Sequence, residues 1–119
     1  MPIEWFDNRK RVGNAFVSID RLGRMSLSRD VRTMLDVKDG EGVSLYIGFD
    51  KETKTLALIK TSSIELADVR PFKFDGVRYY SNAKHFIEAN QLPANQPIRF
   101  YHVGEDSETG ALLFRLQDR

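Results

Sequence analysis

Arginine is the residue type whose number and spacing in this chain could do chemistry. Four arginines fall within one short stretch, at Arg21, Arg24, Arg29 and Arg32. A guanidinium group can bridge phosphate oxygens or donate a bidentate pair of hydrogen bonds to guanine. The stretch therefore indicates a nucleic-acid contact. The alternative is that these arginines pair with the nearby Asp20, Asp30 and Asp36 on a solvated face.

Catalytic chemistry has weaker support in the sequence. The chain has no cysteine, and its two histidines, His85 and His102, lack the spacing of metal ligands. Asp50 and Asp106, each followed two positions later by a glutamate, fall in predicted hairpin turns, where carboxylates are normally solvated. No glycine-rich phosphate loop is present. The sequence predicts neither an enzyme nor a bound cofactor or metal.

Length and charge restrict the class of protein further. A chain of 119 residues has the length of one domain, and its net charge of +1 is too small to indicate nucleic-acid binding by itself. Such binding must come from local clusters, the second of which is Arg9–Arg11. No apolar run has the length of a membrane span, and residues 1–10 lack the order of a signal peptide. We therefore expect a cytoplasmic protein with no membrane partner.

The elements that must position these arginines occur twice. Residues 16–60 form a first copy and residues 72–116 a second, joined by a connector at 61–71 and preceded by a leader at 1–15. Equivalent positions lie 55 apart at first and 56 apart near the end, as in Val17 and Phe72, Asp20 and Asp75, Leu45 and Phe100, and Gly48 and Gly104. Each unit alone would bury too little surface to be stable, so the two are expected to share one core.

Within each copy the pattern predicts the order strand, strand, helix, strand, strand. Asp20–Gly23 is a predicted turn, Ser28 a predicted helix N-cap, and Ser81 or Asn82 the predicted cap in the second copy. Apolar residues at helical spacing predict the buried face of the first helix, namely Val31, Met34 and Leu35. Tyr79 and Tyr80 are assigned to a strand, and three apolar residues of the connector are expected to lie against the body of the protein: Ile64, Leu66 and Val69.

The first copy resembles a known family. The turn Asp20–Arg24, the alternating Met25–Leu27, a short helix with Arg32 and a loop with Gly40 are similar to the AbrB/SpoVT-like (AbrB/MazE) swapped-hairpin DNA-binding domains. The resemblance implies a mainly β fold with two short helices. The fold would be a swapped-hairpin (cradle-loop) β-barrel made by two ββαββ repeats of one chain, a pseudo-dimer. A double-psi β-barrel is the alternative. Family members often pair, so the resemblance leaves open a homodimer of this chain.

The resemblance also implies a site on double-stranded DNA. Arg24 matches the arginine of the family's Gly-Arg turn, and Arg32 matches one of its helix arginines. Arg21 and Arg29 are basic neighbours of these two, and the second copy offers a weaker set that includes Arg78 and Lys84. The predicted DNA-binding residues are therefore Arg21, Arg24, Arg29, Arg32, Arg78 and Lys84. The expected function is that of a DNA-binding transcriptional regulator.

Departures from the family pattern favour a second interpretation. Ser28 replaces a usual proline, and Ile87 stands opposite Arg32 in the second copy. The alternative function is therefore a protein-interaction module, an inhibitor or adaptor that has kept the fold without DNA binding. Its predicted surfaces are Trp5 and Phe6, Tyr79 and Tyr80, or the second helix.

Overall fold

The computed structural model describes residues 15–93 and 95–116. Trp5, Phe6 and Arg9–Arg11, to which the sequence gives a binding role, lie outside the described residues. The described part contains eight strands and two short helices. In chain order these are β1 (Phe16–Ile19), β2 (Arg24–Leu27), α1 (Arg29–Met34), β3 (Val43–Asp50), β4 (Thr55–Lys60), β5 (Phe72–Phe74), β6 (Tyr80–Asn82), α2 (Lys84–Ala89), β7 (Ile98–Glu105) and β8 (Leu112–Leu116). The prediction of a mainly β fold with two short helices is confirmed.

The strands form one antiparallel sheet that curls into a nearly closed barrel. Their order is β5-β3-β4-β8-β7-β1-β2-β6, and the two strands at its ends, β5 and β6, are consecutive in the chain and lie against each other. The β1–β2 hairpin is flanked by β7 and β6, and the β3–β4 hairpin by β5 and β8. Each half of the chain therefore supplies the neighbouring strands of the other half, which leaves few unpaired edges.

The registers of these pairs follow the spacing seen in the sequence. Val17 of β1 lies opposite Phe100 of β7, and Phe72 of β5 lies opposite Leu45 of β3. Val17 and Phe72 are 55 positions apart, as are Leu45 and Phe100. The β1–β7 and β5–β3 ladders are therefore equivalent in register.

A β-bulge explains why the spacing changes from 55 to 56. In the β7–β8 ladder His102 pairs with Phe114 and Gly104 with Leu113, so Val103 is an extra residue without a partner of its own. A bulge adds one residue to a strand without disturbing the ladder beyond it. Val103 points away from the core and is exposed. The one-residue change in the sequence spacing thus corresponds to a single local irregularity in β7.

The core fills the inside of this barrel with alternate residues of the strands. β1 and β2 each bury every second residue, as expected for a strand with one solvated face. The largest fully buried side chains are Val17, Ile19, Met25, Val31, Leu45, Leu56, Leu58, Phe100 and Phe114. Neither helix of the described part has the length and apolar character needed to cross a lipid bilayer.

The helix starts differ between the two halves. The Ser28 hydroxyl accepts hydrogen bonds from the backbone N–H groups of Val31, at 3.4 Å, and of Phe16, at 3.0 Å, so the predicted N-cap is confirmed and also ties α1 to β1. α2 has Ala83 at its N-cap with no side-chain hydrogen bond. The Oδ1 of Asn82, one of the two predicted caps, accepts the backbone N–H of Lys84 at 3.0 Å, so Asn82 caps the first helical residue from one position before the N-cap. The backbone N–H of Ala83 donates to the Gly23 carbonyl at 2.8 Å, which fixes the start of α2 against the first half.

Three apolar positions are more exposed than the pattern predicts. α1 is six residues long and buries only one side, so Met34 lies at its margin while Val31 is buried. In the connector, Leu66 and Val69 are exposed and only Ile64 is half-buried. A connector without regular structure has no periodic face to bury, so most of this segment does not add to the core.

Candidate nucleic-acid interface

A groove at the start of α1 brings three of the predicted arginines together. It encloses about 650 Å³ and is lined by Arg29 and Arg32 of α1, by Arg78 and Tyr80, and by Phe16 of β1. Because β2 pairs with β6, the loop before β6 delivers Arg78 to the arginines of the first half. The groove is therefore built from both halves of the chain.

The three groove arginines have no acidic partner among the described residues. Within the described residues, Arg24 forms an ion pair with Asp20. None of Arg29, Arg32 and Arg78 forms an ion pair there, although Asp30 also lines the groove. Of the alternative ion pairs with Asp20, Asp30 and Asp36, the described residues therefore show only that of Arg24 with Asp20. An arginine without a carboxylate keeps its positive charge and its exposed N–H donors for an incoming anion.

Arg32 is held by an aromatic ring. Its guanidinium carbon lies 4.1 Å from the centroid of the Tyr79 ring, within the range of a cation–π contact. Its Nε is buried and has no hydrogen-bond partner among the described residues. Arg32 is therefore half-buried, with its Nε covered, while the residue lines the groove.

Tyr79 has an unusual backbone for an aromatic residue. Its φ is +56°, in the left-handed region that Gly23, at +79°, adopts in the corresponding turn of the first half. Its side chain is buried, and its hydroxyl accepts a hydrogen bond from the Gly40 N–H at 2.9 Å and donates one to the Lys38 carbonyl at 3.4 Å. Tyr79 thereby joins the wall of the groove to the loop before β3.

Arg78 is presented by a turn that Asp75 organises. The Asp75 Oδ1 accepts hydrogen bonds from the backbone N–H groups of Arg78 at 2.7 Å, Val77 at 2.9 Å and Tyr79 at 3.1 Å. These bonds, that from Arg78 first, hold the pKa of Asp75 below its ordinary value. The hydrogen bonds of this carboxylate go to the backbone, and within the described residues it forms no ion pair with the Arg78 side chain.

Arg24 adjoins the groove but carries a partly neutralised charge. Its Nε donates to Asp20 Oδ2 at 2.8 Å, and its guanidinium carbon lies 4.8 Å from the centroid of the Tyr80 ring. Burial alone would raise the pKa of Asp20. Hydrogen bonds from the Arg24 backbone and side chain and from Leu22 N–H outweigh it and lower the pKa. Arg24 therefore adds less to the electrostatic field of the groove than the three groove arginines, which form no ion pair among the described residues.

Arg21 and Lys84 lie apart from the groove. They line a smaller hollow of about 280 Å³ together with Glu88. The Lys84 stem covers Gly23, where an added Cβ would lie 2.7 Å from the Lys84 Cγ. The structure thus brings together three of the six predicted residues, places a fourth beside them and separates the remaining two.

A second basic groove occupies the equivalent place on the other half. It encloses about 760 Å³, and the basic residues Arg70, Lys73 and His85 line it together with Asn82. No acidic side chain lines it. Lys73 corresponds to Ser18 and His85 to Asp30 at the 55-residue spacing. Nothing in the sequence indicates Arg70 as a site residue, because it lies in the irregular connector, where no periodicity indicates which side chains face a groove.

The acidic residues of the hairpin turns have structural partners. Asp50 accepts from the Glu52 N–H at 2.9 Å, and Asp106 accepts from the Thr109 hydroxyl at 2.7 Å. The Thr109 hydroxyl and backbone N–H lower the pKa of Asp106. Across the described ranges, no group of three or more His, Asp or Glu side chains is arranged to hold a metal ion.

Comparison with family models, with curated proteins and with solved structures finds no match for this chain. The interpretation of the groove therefore depends on the geometry and charges described above.

Proposed function

We propose that this protein binds double-stranded DNA through the groove arginines and acts as a transcriptional regulator of the AbrB-like type. The observation that carries the proposal is the convergence of Arg29, Arg32 and Arg78 on one groove without a carboxylate partner in the described part of the chain. Burying or clustering like charges costs free energy unless an anion compensates for it. A phosphodiester backbone supplies such anions at regular spacing.

The strand order supports the same proposal at the level of the fold. Because each hairpin of one half lies between strands of the other half, we interpret the barrel as two ββαββ repeats that exchange hairpins, the pseudo-dimer of the AbrB-like resemblance. α1, which carries Arg32, then lines the groove from the first half, and Arg24 lies beside the groove residue Tyr80. The second half completes the groove with Arg78 and Tyr80.

The number of groove arginines sets how strongly DNA binding should depend on salt concentration. If the three groove arginines each neutralise one phosphate, the logarithm of the binding constant falls with the logarithm of salt concentration with a slope of about −2.7 from these contacts alone. Any further contact makes the slope steeper. A protein of net charge +1 has little unspecific attraction for DNA, so most of the slope should come from this surface.

The test is fluorescence anisotropy of a labelled DNA duplex across a salt series. We expect the variant Arg29→Ala/Arg32→Ala/Arg78→Ala to lose about 2.7 of the slope and to bind too weakly to measure at moderate salt. The matched control is Arg21→Ala/Lys84→Ala, which removes two charges from the separate hollow. The same loss of slope per removed charge in both variants would show that only net charge matters, and no binding by the unmodified protein at low salt would reject the proposal.

The second candidate, a protein-interaction module, has its own observation. Leu22 and Val77 stand at equivalent turns 55 positions apart and are the most exposed large apolar residues of the described chain, at 63% and 85%. Tyr79, in contrast, is buried and offers no partner surface. Leu22→Ser/Val77→Ser tests this candidate: a protein partner that binds the unmodified chain and is lost with this variant, while DNA binding is absent, would favour it over the DNA proposal.

A further inference from the structure

The outer face of the barrel continues from the groove toward β7. Direct strand pairing places Tyr80 beside Ser26, Ser26 beside Ser18, and Ser18 beside Arg99. Directly paired residues project to the same side of a sheet, and Val17 and Ile19 face the core, so this row faces outward. Three strand spacings of about 4.8 Å separate Tyr80 from Arg99, a span of roughly 14 Å.

Arg99, at the end of this row, resembles the groove arginines in its surroundings. It is exposed, it has no ion pair with a carboxylate among the residues described, and its guanidinium carbon lies 4.4 Å from the centroid of the Phe16 ring. Phe16 itself lines the groove. Its ring is supported from Tyr101, at a centroid distance of 6.0 Å. The same arrangement of a guanidinium over a ring occurs at Arg24 and Arg32.

We propose that the DNA-contacting surface extends across the outer face of β2, β1 and β7 to Arg99, which binds a backbone phosphate beyond those bound in the groove. This inference rests on the proposed function. The serine pair between the two ends, with its hydroxyl oxygens 2.8 Å apart, places no opposing charge on the path. A span of roughly 14 Å corresponds to about four nucleotides of rise along one strand.

The rings also indicate which form of nucleic acid fits. A single strand is bound by stacking its bases on open aromatic faces. Here Arg99 covers a face of Phe16, and Arg24 covers a face of Tyr80. The rings therefore orient guanidinium groups, whose N–H donors lie in the plane of the group and remain available to phosphate oxygens. This arrangement suits the backbone of a duplex, whose bases stay stacked.

The experiment measures duplex binding by anisotropy across a salt series for the full chain and its variants. We expect Arg99→Ala to reduce the salt slope by about 0.9, with affinity about tenfold weaker at moderate salt. The matched control, Lys51→Ala, removes one exposed charge from the β3–β4 turn and should leave the slope unchanged. Phe16→Leu keeps an apolar side chain but removes the ring, so it should lose part of the slope, and Phe16→Tyr should recover it.

The variants distinguish a role of Arg99 from DNA binding by the groove itself. In one outcome the unmodified protein shows a steep salt slope that the groove variant abolishes, while Arg99→Ala has the same slope as Lys51→Ala. That result overturns the extension to Arg99 and keeps the groove as the DNA-binding site. Tighter binding to a single strand than to the duplex of the same sequence overturns the assignment of the ligand. No binding by the unmodified protein rejects both. Thermal unfolding of each variant shows whether a lost slope reflects the contact or the fold.

Discussion

Gly76 offers a sharp test of how the groove is supported. A Cβ added at this position would overlap the carbonyl oxygen of Gly40 and lie 2.7 Å from its carbonyl carbon and 3.0 Å from that of Glu41. All three are backbone atoms, so no side-chain rotation relieves the contact. Gly76→Ala must therefore push the loop before β3 away from the turn that carries Arg78 and Tyr79.

The expected cost follows from two effects. Overpacking by one methyl group against a fixed backbone costs roughly 1–3 kcal/mol. Separating the loops also breaks the 2.9 Å hydrogen bond from the Gly40 N–H to the Tyr79 hydroxyl, worth roughly 0.5–1.5 kcal/mol. Together these give a loss of about 2–4 kcal/mol in the free energy of unfolding. DNA affinity should fall as well, because the displaced turn positions Arg78 and the ring beneath Arg32.

Urea denaturation monitored by fluorescence or circular dichroism measures this loss. With a slope of about 2 kcal/mol per molar urea, the midpoint of Gly76→Ala should fall by on the order of 1–2 M. Gly48→Ala is the matched control, since its added Cβ would meet only the Ala57 Cβ at an ordinary 3.9 Å. A midpoint for Gly76→Ala as close to the unmodified protein as that of Gly48→Ala would refute the tight packing of these two loops.

Two further predictions concern the core and acid stability. Leu45→Ala and Phe100→Ala should each lower the free energy of unfolding by roughly 2–5 kcal/mol, because both side chains are fully buried; losses below about 1 kcal/mol in urea titrations would contradict the assigned strand faces. The lowered pKa of Asp75 stabilises the fold above the unfolded pKa of about 3.9, and this contribution is lost as pH falls toward the folded value. Asp75→Asn should therefore lose less stability than the unmodified protein when pH is lowered through about 4, and an identical acid profile would contradict this.

The strand faces could be predicted from the sequence because they depend on local alternation. Val17 and Ile19 alternate with half-buried neighbours along β1, and both lie in the core. The spacing of equivalent positions also agrees with the strand registers, because Leu45 and Phe100 occupy equivalent positions in the β5–β3 and β1–β7 ladders. The change in spacing could not be assigned to a bulge, because the glycine beside it, Gly104, has an equivalent in Gly48, where the β3–β4 ladder is regular.

The backbone of Tyr79 could not be predicted, because tertiary contacts override its local preference. A bulky residue with positive φ is disfavoured by its own sterics, so the sequence favours a strand. Burial of the ring and hydrogen bonds of its hydroxyl to the loop at Lys38 and Gly40 offset that cost. Which arginines line the groove could not be predicted for a related reason. Arg78 meets Arg29 only through the pairing of β2 with β6, which no local pattern specifies.

The two basic grooves differ in a way that a single chain permits. In a symmetric homodimer every substitution appears twice, so a change that improves one groove must also be tolerated in the other. Here the position equivalent to Arg32 is Ile87, which is buried, and the position equivalent to Asp30 is His85 in the second groove. Joining both halves in one chain allows one groove to have three arginines with no ion pair among the described residues, while the equivalent helix of the other half has a buried Ile87 in place of Arg32. If the grooves contact one duplex, they would therefore contribute unequally, and the protein would bind its site in one preferred orientation.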